Sequence, residues 1–149
     1  MPNPAIAIPN LLYRYAEAFD QGDFAAAAAL FDHGALIASG QRVAGVEAIT
    51  AMWRQWVRLY DGRPLTRHVT TNPIITLAGD GLTASCRSTW TLLQAAPGLP
   101  LQVIASGTYH DRFAVIDGAW HFTERAYGPI DLMGDTRAHL LQTPEDKEQ

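Results

Sequence analysis

The sequence has one cysteine, Cys86, in 149 residues, so no internal disulfide can form. Charged residues make up only 17% and nowhere gather into a basic stripe. With a net charge of -4 and a pI near 5.6, that scarcity argues against nucleic acid, whose binding draws on clustered Lys and Arg. No apolar run approaches the roughly 20 residues a membrane span needs. The start, Met1 to Pro9, lacks the basic opening and long apolar core of a signal peptide, so a soluble cytoplasmic protein without a membrane partner is expected. The five histidines show no His-Glu-x-x-His spacing and no paired cysteines accompany them, so no metal site is expected. No glycine-rich phosphate loop precedes a helix, and Ser106-Gly107 lacks the context of a nucleophile elbow.

What the chain does have is apolar material. Hydrophobic residues are 48%, which excludes a disordered chain, and the length suits one domain with a substantial core and surface left over to line a cavity. The single domain takes in residues 1–149, with its core at about 9–128 and an irregular segment at 129–149.

Helical periodicity comes first. Asn10 is placed to cap a helix in which Leu11, Leu12, Tyr15, Ala16 and Phe19 share a face, with Gln21-Gly22 at its end. Asp20 falls in the last turn, where a carboxylate faces the negative end of the macrodipole and calls for a compensating donor or cation. Asp23 caps a second, alanine-rich helix, Phe24 to Phe31. Ala35 to Ala38 is a short strand, and Ser39 to Gly45 a loop. From Val46 to Tyr60, Ile49, Met52, Trp53, Trp56, Val57 and Tyr60 form an apolar stripe, a spacing that favours core packing of the tryptophans over a ligand stack.

Thr66 to Pro73 opens a run of strands. His68, Thr70 and Asn72 share one face, Arg67, Val69 and Thr71 the other, and Asn72-Pro73 predicts a bulge or an edge because Pro73 has no N–H to give. Thr83 to Leu93, Leu101 to Ile116 and a last strand through Trp120 to Tyr127 follow. They are joined at Gly79-Asp80-Gly81, Ala95 to Pro100 and Asp117-Gly118, as an antiparallel meander. Alternation puts Leu101, Val103, Ala105, Gly107, Tyr109, Asp111 and Phe113 on one face of the third strand. It sets Trp120, Phe122 and Glu124 against His121, Thr123, Arg125 and Tyr127 on the fourth. Gly107 in mid-strand predicts a bend that curves the sheet. Past Gly128 periodicity is lost, His139 lies in this irregular part, and Pro144 to Gln149 reads as a disordered polar tail. Three N-terminal helices on a long, curved, mainly antiparallel sheet give an α+β cone with a pocket between the layers.

The order and spacing of several short motifs resemble the SnoaL-like family of the nuclear transport factor 2-like superfamily. They are Tyr15 with Asp20, Gly-Asp-Phe at 22–24, Gly45 to Ile49, His68-x-x-Thr71-Asn72, Gly107-Thr108-Tyr109 and Asp117-Gly118-x-Trp120. The chain looks most like the branch holding scytalone dehydratase, bile acid 7α-dehydratase and the lindane dehydrochlorinase. The resemblance implies the cone fold, a homodimer, no cofactor, a small-molecule substrate, and an Asp-His pair that maps onto Asp20 and His68, with Tyr15 beside them. It also puts Arg125 near a last-strand position that carries a cation.

Those residues suit proton transfer. An imidazole at His68 can accept a proton from a carbon acid and return it, Asp20 can fix its tautomer, and the Tyr15 hydroxyl can stabilise developing charge. The expected activity is a cofactor-independent β-elimination, such as dehydration, or an isomerisation on a largely apolar cyclic compound. Trp90, Tyr109, Arg125 and Asn72 are candidates to line the pocket. A non-catalytic cone, serving as a ligand-binding protein or an assembly subunit like the β chain of ring-hydroxylating dioxygenases, is the alternative.

Overall fold

A computed structural model describes residues 2–142 of the chain, so the tail read at 144–149 lies outside the described residues. Helix α1 (Pro4–Asp20) begins earlier than Asn10. Asn3 caps it, its side chain accepting from the Ala5 N–H at 3.0 Å, and Pro4 sits in the first turn, where its missing N–H is no loss. Pro9 then lies inside the helix and forgoes one backbone bond. Starting upstream adds the fully buried Ile8 to the stripe of Leu11, Leu12, Tyr15 and Phe19. Burying one such side chain contributes about 1.5–3 kcal/mol, comparable to what the proline costs.

Helix α2 (Phe24–Ala29) is short and is capped by Asp23, which accepts from the Ala26 N–H at 3.0 Å. Gly22 holds the turn between the two helices at φ 78°, with its Cα so close to the Gly62 carbonyl that any Cβ would collide with it. Strand β1 (Ala35–Ala38) is where the periodicity placed it, but the loop after it contains a second strand, β2 (Gln41–Val43), paired antiparallel to β1. Helix α3 (Val46–Trp56) stops four residues short of Tyr60. Val57 is extended instead and forms a bridge with Leu140, so the C-terminal segment captures what would have been the helix's last turn.

The long strands are β3 (Thr66–Leu77), β4 (Thr83–Ala96), β5 (Leu99–Ile116) and β6 (Ala119–Met133). The sheet order is β2-β1-β6-β5-β4-β3, antiparallel except for the parallel pairing of β1 with β6. Among the described residues this is one open, curved, mixed sheet of six strands with three helices packed on it; the sequence led us to expect three helices on a curved, mainly antiparallel sheet, without β2. No described helix is long and apolar enough to cross a membrane.

Bulges decide which residues face the helices. At Asn72-Pro73 the β3–β4 register shifts between Thr71 and Ile74, as the proline predicted, and Asn72 adopts φ 54°. At Ile104 an extra residue enters β5, so Leu101 and Val103 turn outward to 70% and 55% exposure while Ile104 is fully buried. At Thr123 an extra residue enters β6, which brings Trp120 and Phe122, and then Arg125, to the buried side and leaves Glu124 off it. Strict alternation misplaces all of these, because one inserted residue reverses every side chain beyond it. β6 also continues six residues past Tyr127, where no periodicity was visible, because Gly128-Pro129 and further register shifts disguise the pairing with β5.

Across the inner face the register stacks side chains in rungs. His68 lies level with Leu92 and Ala105, Thr70 with Trp90, Gly107 and Ile130, and Ser88 with Tyr109 and Tyr127. Cys86, Asp111 and Arg125 form the next rung, then Ala84, Phe113 and Phe122. The last rung is filled: Phe31, Phe113 and Phe122 stack with ring centroids 4.6–4.7 Å apart. The His68 end is left open. Gly107 permits this by a close approach, since a Cβ there would come within 2.7 Å of the Trp90 indole lying across the strand.

Candidate functional site

Asp20 ends α1 against the first residues of β3. Its carboxylate accepts three hydrogen bonds: from Thr66 Oγ1 at 2.9 Å, from the His68 backbone N–H at 2.7 Å, and from His68 Nδ1 at 2.7 Å. The first two partners donate here, so the carboxylate is held as an acceptor, and the bond to the ring requires Nδ1 to carry the proton. Nε2 is then the free, basic nitrogen. The pair is nearly buried, with the His68 and Asp20 side chains 8% and 14% exposed, and the edges of Phe19 and Tyr15 pack on the imidazole.

His68 opens on a cavity of about 430 Å³ that Asp20 does not line, so the ring lies between the carboxylate and the open space. That volume falls in the range of small-molecule sites. Its apolar wall includes Trp53, Trp56, Trp90, Phe19, Leu92 and Ile130, and its polar groups include Tyr15, Tyr127, His68 and His139. Among the described residues the lining holds no Lys, Arg, Asp or Glu. Tyr15 and Tyr127 hydrogen-bond through their hydroxyls at 2.8 Å, and Trp53 Nε1 donates to Tyr127 at 3.2 Å. The two hydroxyls bring two protons and spend one between themselves, leaving one O–H for a ligand. Burial pushes the pKa of Tyr15, Tyr109 and Tyr127 well above the ordinary tyrosine value, so all three remain donors.

Arg125 does not reach the cavity. It is fully buried beneath the floor, its Nε and Nη2 bonded to the two oxygens of Asp111 at 2.8 and 2.9 Å, with its guanidinium 3.7 Å from the Tyr109 ring centre and 4.3 Å from that of Tyr15. Burial alone would lower its pKa, but the Asp111 carboxylate outweighs that and holds the guanidinium above its ordinary value. Arg125 does share the inner face with Tyr127, as the alternation placed it, but it sits one rung below the cavity wall, where Asp111 on the neighbouring strand consumes it. Asn72 is also not in the wall. Its side chain is exposed, because the same bulge that the proline imposes carries it off the inner face.

The structure thus brings Tyr15, His68, Trp90 and Tyr109 to one cavity, with Asp20 directly behind His68. It adds Tyr127 and His139, which the sequence did not single out; Trp53 is both core and wall, whereas Trp56, read as core, is 39% exposed and belongs to the wall alone. Tyr127 was hidden by the broken alternation of β6. For His139, in a segment without periodicity, no signal was present. Among the described residues no three His, Cys, Asp or Glu side chains converge as a metal site. The Cys86 thiol is pushed up to about 11 by burial and by Asp111, which keeps it protonated.

A model of the SnoaL-like domain matches residues 6–126. The chain belongs to the SnoaL-like family. No curated protein matches it. Among solved structures it is similar to a single-substitution variant of Rv3472 from Mycobacterium tuberculosis, a protein of unknown function, at 26% identity and TM-score 0.66, over 83% of this chain and 74% of that one. It is similar in fold to an NTF2-like protein with a cystatin-like fold from Novosphingobium aromaticivorans, at 23% identity and TM-score 0.67, over 92% and 88%. A candidate scytalone dehydratase from the same organism shares the fold at 19% identity and TM-score 0.62, over 88% and 91%. The α+β fold of this SnoaL-like protein is therefore the nuclear transport factor 2-like one.

The SnoaL-like cavity contains one strongly perturbed imidazole. Burial first, and then nearby His68, push the His139 pKa from 6.5 down to about 4. Between those values the unfolded chain binds a proton that the folded one does not, so folding stability rises with pH across this window. We expect stability to fall by about 2–3 kcal/mol from this group as pH drops from about 6.5 to 4. Urea melts across that window should show a shallower decline in His139→Gln than in the native chain; an equal slope in both would remove His139 as the cause.

Proposed function

We propose that this SnoaL-like protein is a cofactor-independent lyase, acting by dehydration or a related β-elimination, or an isomerase using the same proton transfer. Its substrate is a small, largely apolar ring compound. The observation that carries the reading is the His68 ring, bonded to Asp20 through Nδ1 with its other nitrogen free at an apolar cavity. In this reading Nε2 removes a proton from a carbon next to a carbonyl, and the freed electron pair becomes the new C=C bond as the C–O bond of the leaving hydroxyl breaks. The hydroxyl departs as water, taking up the proton that His68 returns. Asp20 stabilises the imidazolium formed between the two events, and the spare O–H of the Tyr15–Tyr127 pair donates to the carbonyl oxygen as it gains charge. Isomerisation differs only in returning the proton to another carbon. All groups invoked belong to the chain, so the reaction calls for no metal or organic cofactor. The reading is of a cytoplasmic enzyme, with Cys86 kept as a thiol.

A screen of β-hydroxy ketones, hydroxylated polycyclic compounds and halogenated rings should yield a substrate. On it, His68→Ala is expected to lower kcat about 10²- to 10⁴-fold without unfolding the protein. Asp20→Asn should slow turnover less, since the base remains, and Tyr15→Phe should reduce kcat more than it raises KM. Unchanged turnover in His68→Ala would contradict the mechanism, and tight ligands that are never converted would favour the binding-protein alternative.

We also propose that the protein works as a homodimer packed through the outer face of the sheet. Val69, Val103 and Leu132 are 40%, 55% and 68% exposed on the side away from the helices, and the register sets Val69 and Leu132 in one rung through Thr91 and Ser106. Exposed aliphatic side chains of this kind on a sheet face call for cover. Light scattering should give about twice the chain mass of 16.3 kDa, and Leu132→Glu should return the monomer. A native monomer at micromolar concentration would remove the proposal.

A further inference from the structure

The segment from Gly134 to Gln142 is irregular but closely held. Gly134 N–H donates to the Ile104 carbonyl at 2.7 Å, Arg58 N–H to the His139 carbonyl at 2.7 Å, and Leu141 N–H to the Trp56 carbonyl at 2.9 Å. The Ala138 carbonyl accepts from both Tyr60 Oη at 2.6 Å and Gln94 Nε2 at 3.0 Å. Anchors from β4, β5 and the exit of α3 thus converge on the residues around His139.

The imidazole they position is 7% exposed, stands in the cavity wall with His68, and has an Nδ1 without a hydrogen-bond partner. Four other buried polar atoms among the described residues lack partners, on Thr50, Ser88, Gln94 and Arg125, and none of those residues lines the cavity. Nδ1 is sealed away from solvent and cavity alike, so the nitrogen this wall residue can present to a ligand is Nε2, which has no hydrogen-bond partner among the described residues either. His139 is neutral near pH 7, because burial and His68 push its pKa to about 4, so Nε2 meets a ligand oxygen as a neutral donor or acceptor and not as part of a cation.

We propose that His139 is a second substrate-binding imidazole, which hydrogen-bonds an uncharged oxygen of the ligand. The cavity thus takes fused-ring compounds with two oxygen functions, one at the Tyr15–Tyr127 hydroxyls and the other at His139. This deepens the reading of the cavity as a substrate site and does not depend on turnover by His68. The chemistry selects hydroxyl or carbonyl oxygens over carboxylates: among the described residues the lining holds no Lys or Arg, and Arg125 beneath it is committed to Asp111. The aromatic wall of Trp56, Trp90 and Tyr109 supplies flat apolar faces for the rings.

The test is isothermal titration calorimetry with 2-naphthol, the set of dihydroxynaphthalene isomers, and 2-naphthoate. The best dihydroxy isomer should bind roughly 3- to 10-fold tighter than 2-naphthol, the gain expected of one further neutral hydrogen bond. His139→Phe should erase that advantage while 2-naphthol still binds, His139→Gln should keep part of it, and 2-naphthoate should bind no tighter than 2-naphthol. In the unsubstituted protein, the ¹⁵N resonances of the His139 ring should move when the best isomer is added, a readout that stands even if the variants fold poorly. No isomer binding tighter than 2-naphthol, no binding by any probe, an advantage that survives His139→Phe, tighter 2-naphthoate, or unmoved His139 resonances would each overturn the proposal. Binding independent of His139 together with turnover lost in His68→Ala would leave the elimination reading intact and remove only this one. His139-dependent binding without His68-dependent turnover would do the reverse.

Discussion

The carboxylate of Asp20 is the contact on which the rest of the site depends. A negative side chain in the last turn of α1 opposes the helix macrodipole, at a cost of about 0.3–1 kcal/mol. Three hydrogen bonds from the first residues of β3 offset it, and bonds to a charged acceptor contribute about 1.5–3 kcal/mol each. The helix layer is thereby joined to the edge strand of the sheet at the mouth of the cavity. One of those bonds also settles which nitrogen of His68 is free, so the contact that fastens the layers is the one that prepares the imidazole. The turn that follows supports it, because Gly22 brings the chain against Gly62 just before β3 begins.

A second polar layer divides the interior. Asp111 and Arg125 pair on the rung below Tyr109 and Tyr127, between the filled aromatic end and the open one. Removing two charges from water is expensive, and a pair of this kind is weak evidence of net stability. Its geometric consequence is plainer: the guanidinium lies under the faces of Tyr15 and Tyr109 and gives the cavity a rigid, charge-paired floor. Among the described residues the wall then has hydroxyls, two imidazoles and indoles but no carboxylate or cation, a surface suited to neutral ring compounds.

The architecture was legible in the sequence wherever one face of an element is buried over its full length. The Leu11 to Phe19 stripe, the Ile49 to Trp53 stripe, the Asn72-Pro73 bulge and the Asp117-Gly118 hairpin all stand in the structure. The convergence of Asp20 on His68 was legible too, through the awkwardness of a helix-terminal carboxylate and the resemblance to the SnoaL-like family. What was not legible came from inserted residues and from tertiary capture. Ile104 and Thr123 each reverse a strand face without any turn residue to signal it, which is why Val103 was grouped with the buried Ala105, and Trp120 and Phe122 were set opposite Arg125 although all three are buried. Neither the early start of α1, which Ile8 secures by packing, nor the docking of His139, which depends on Gln94, Tyr60 and Arg58 far away in sequence, leaves a local pattern.

The central claim is that Asp20 holds His68 in the tautomer with a proton on Nδ1 and a bare Nε2 toward the cavity. Long-range ¹H–¹⁵N correlation spectra of the uniformly labelled protein, at a pH where His68 is neutral, report this directly. The account predicts a protonated Nδ1 and an unprotonated Nε2 for His68, with that preference lost in Asp20→Asn. A His68 ring protonated on Nε2, or one averaging between tautomers in the native protein, would contradict it.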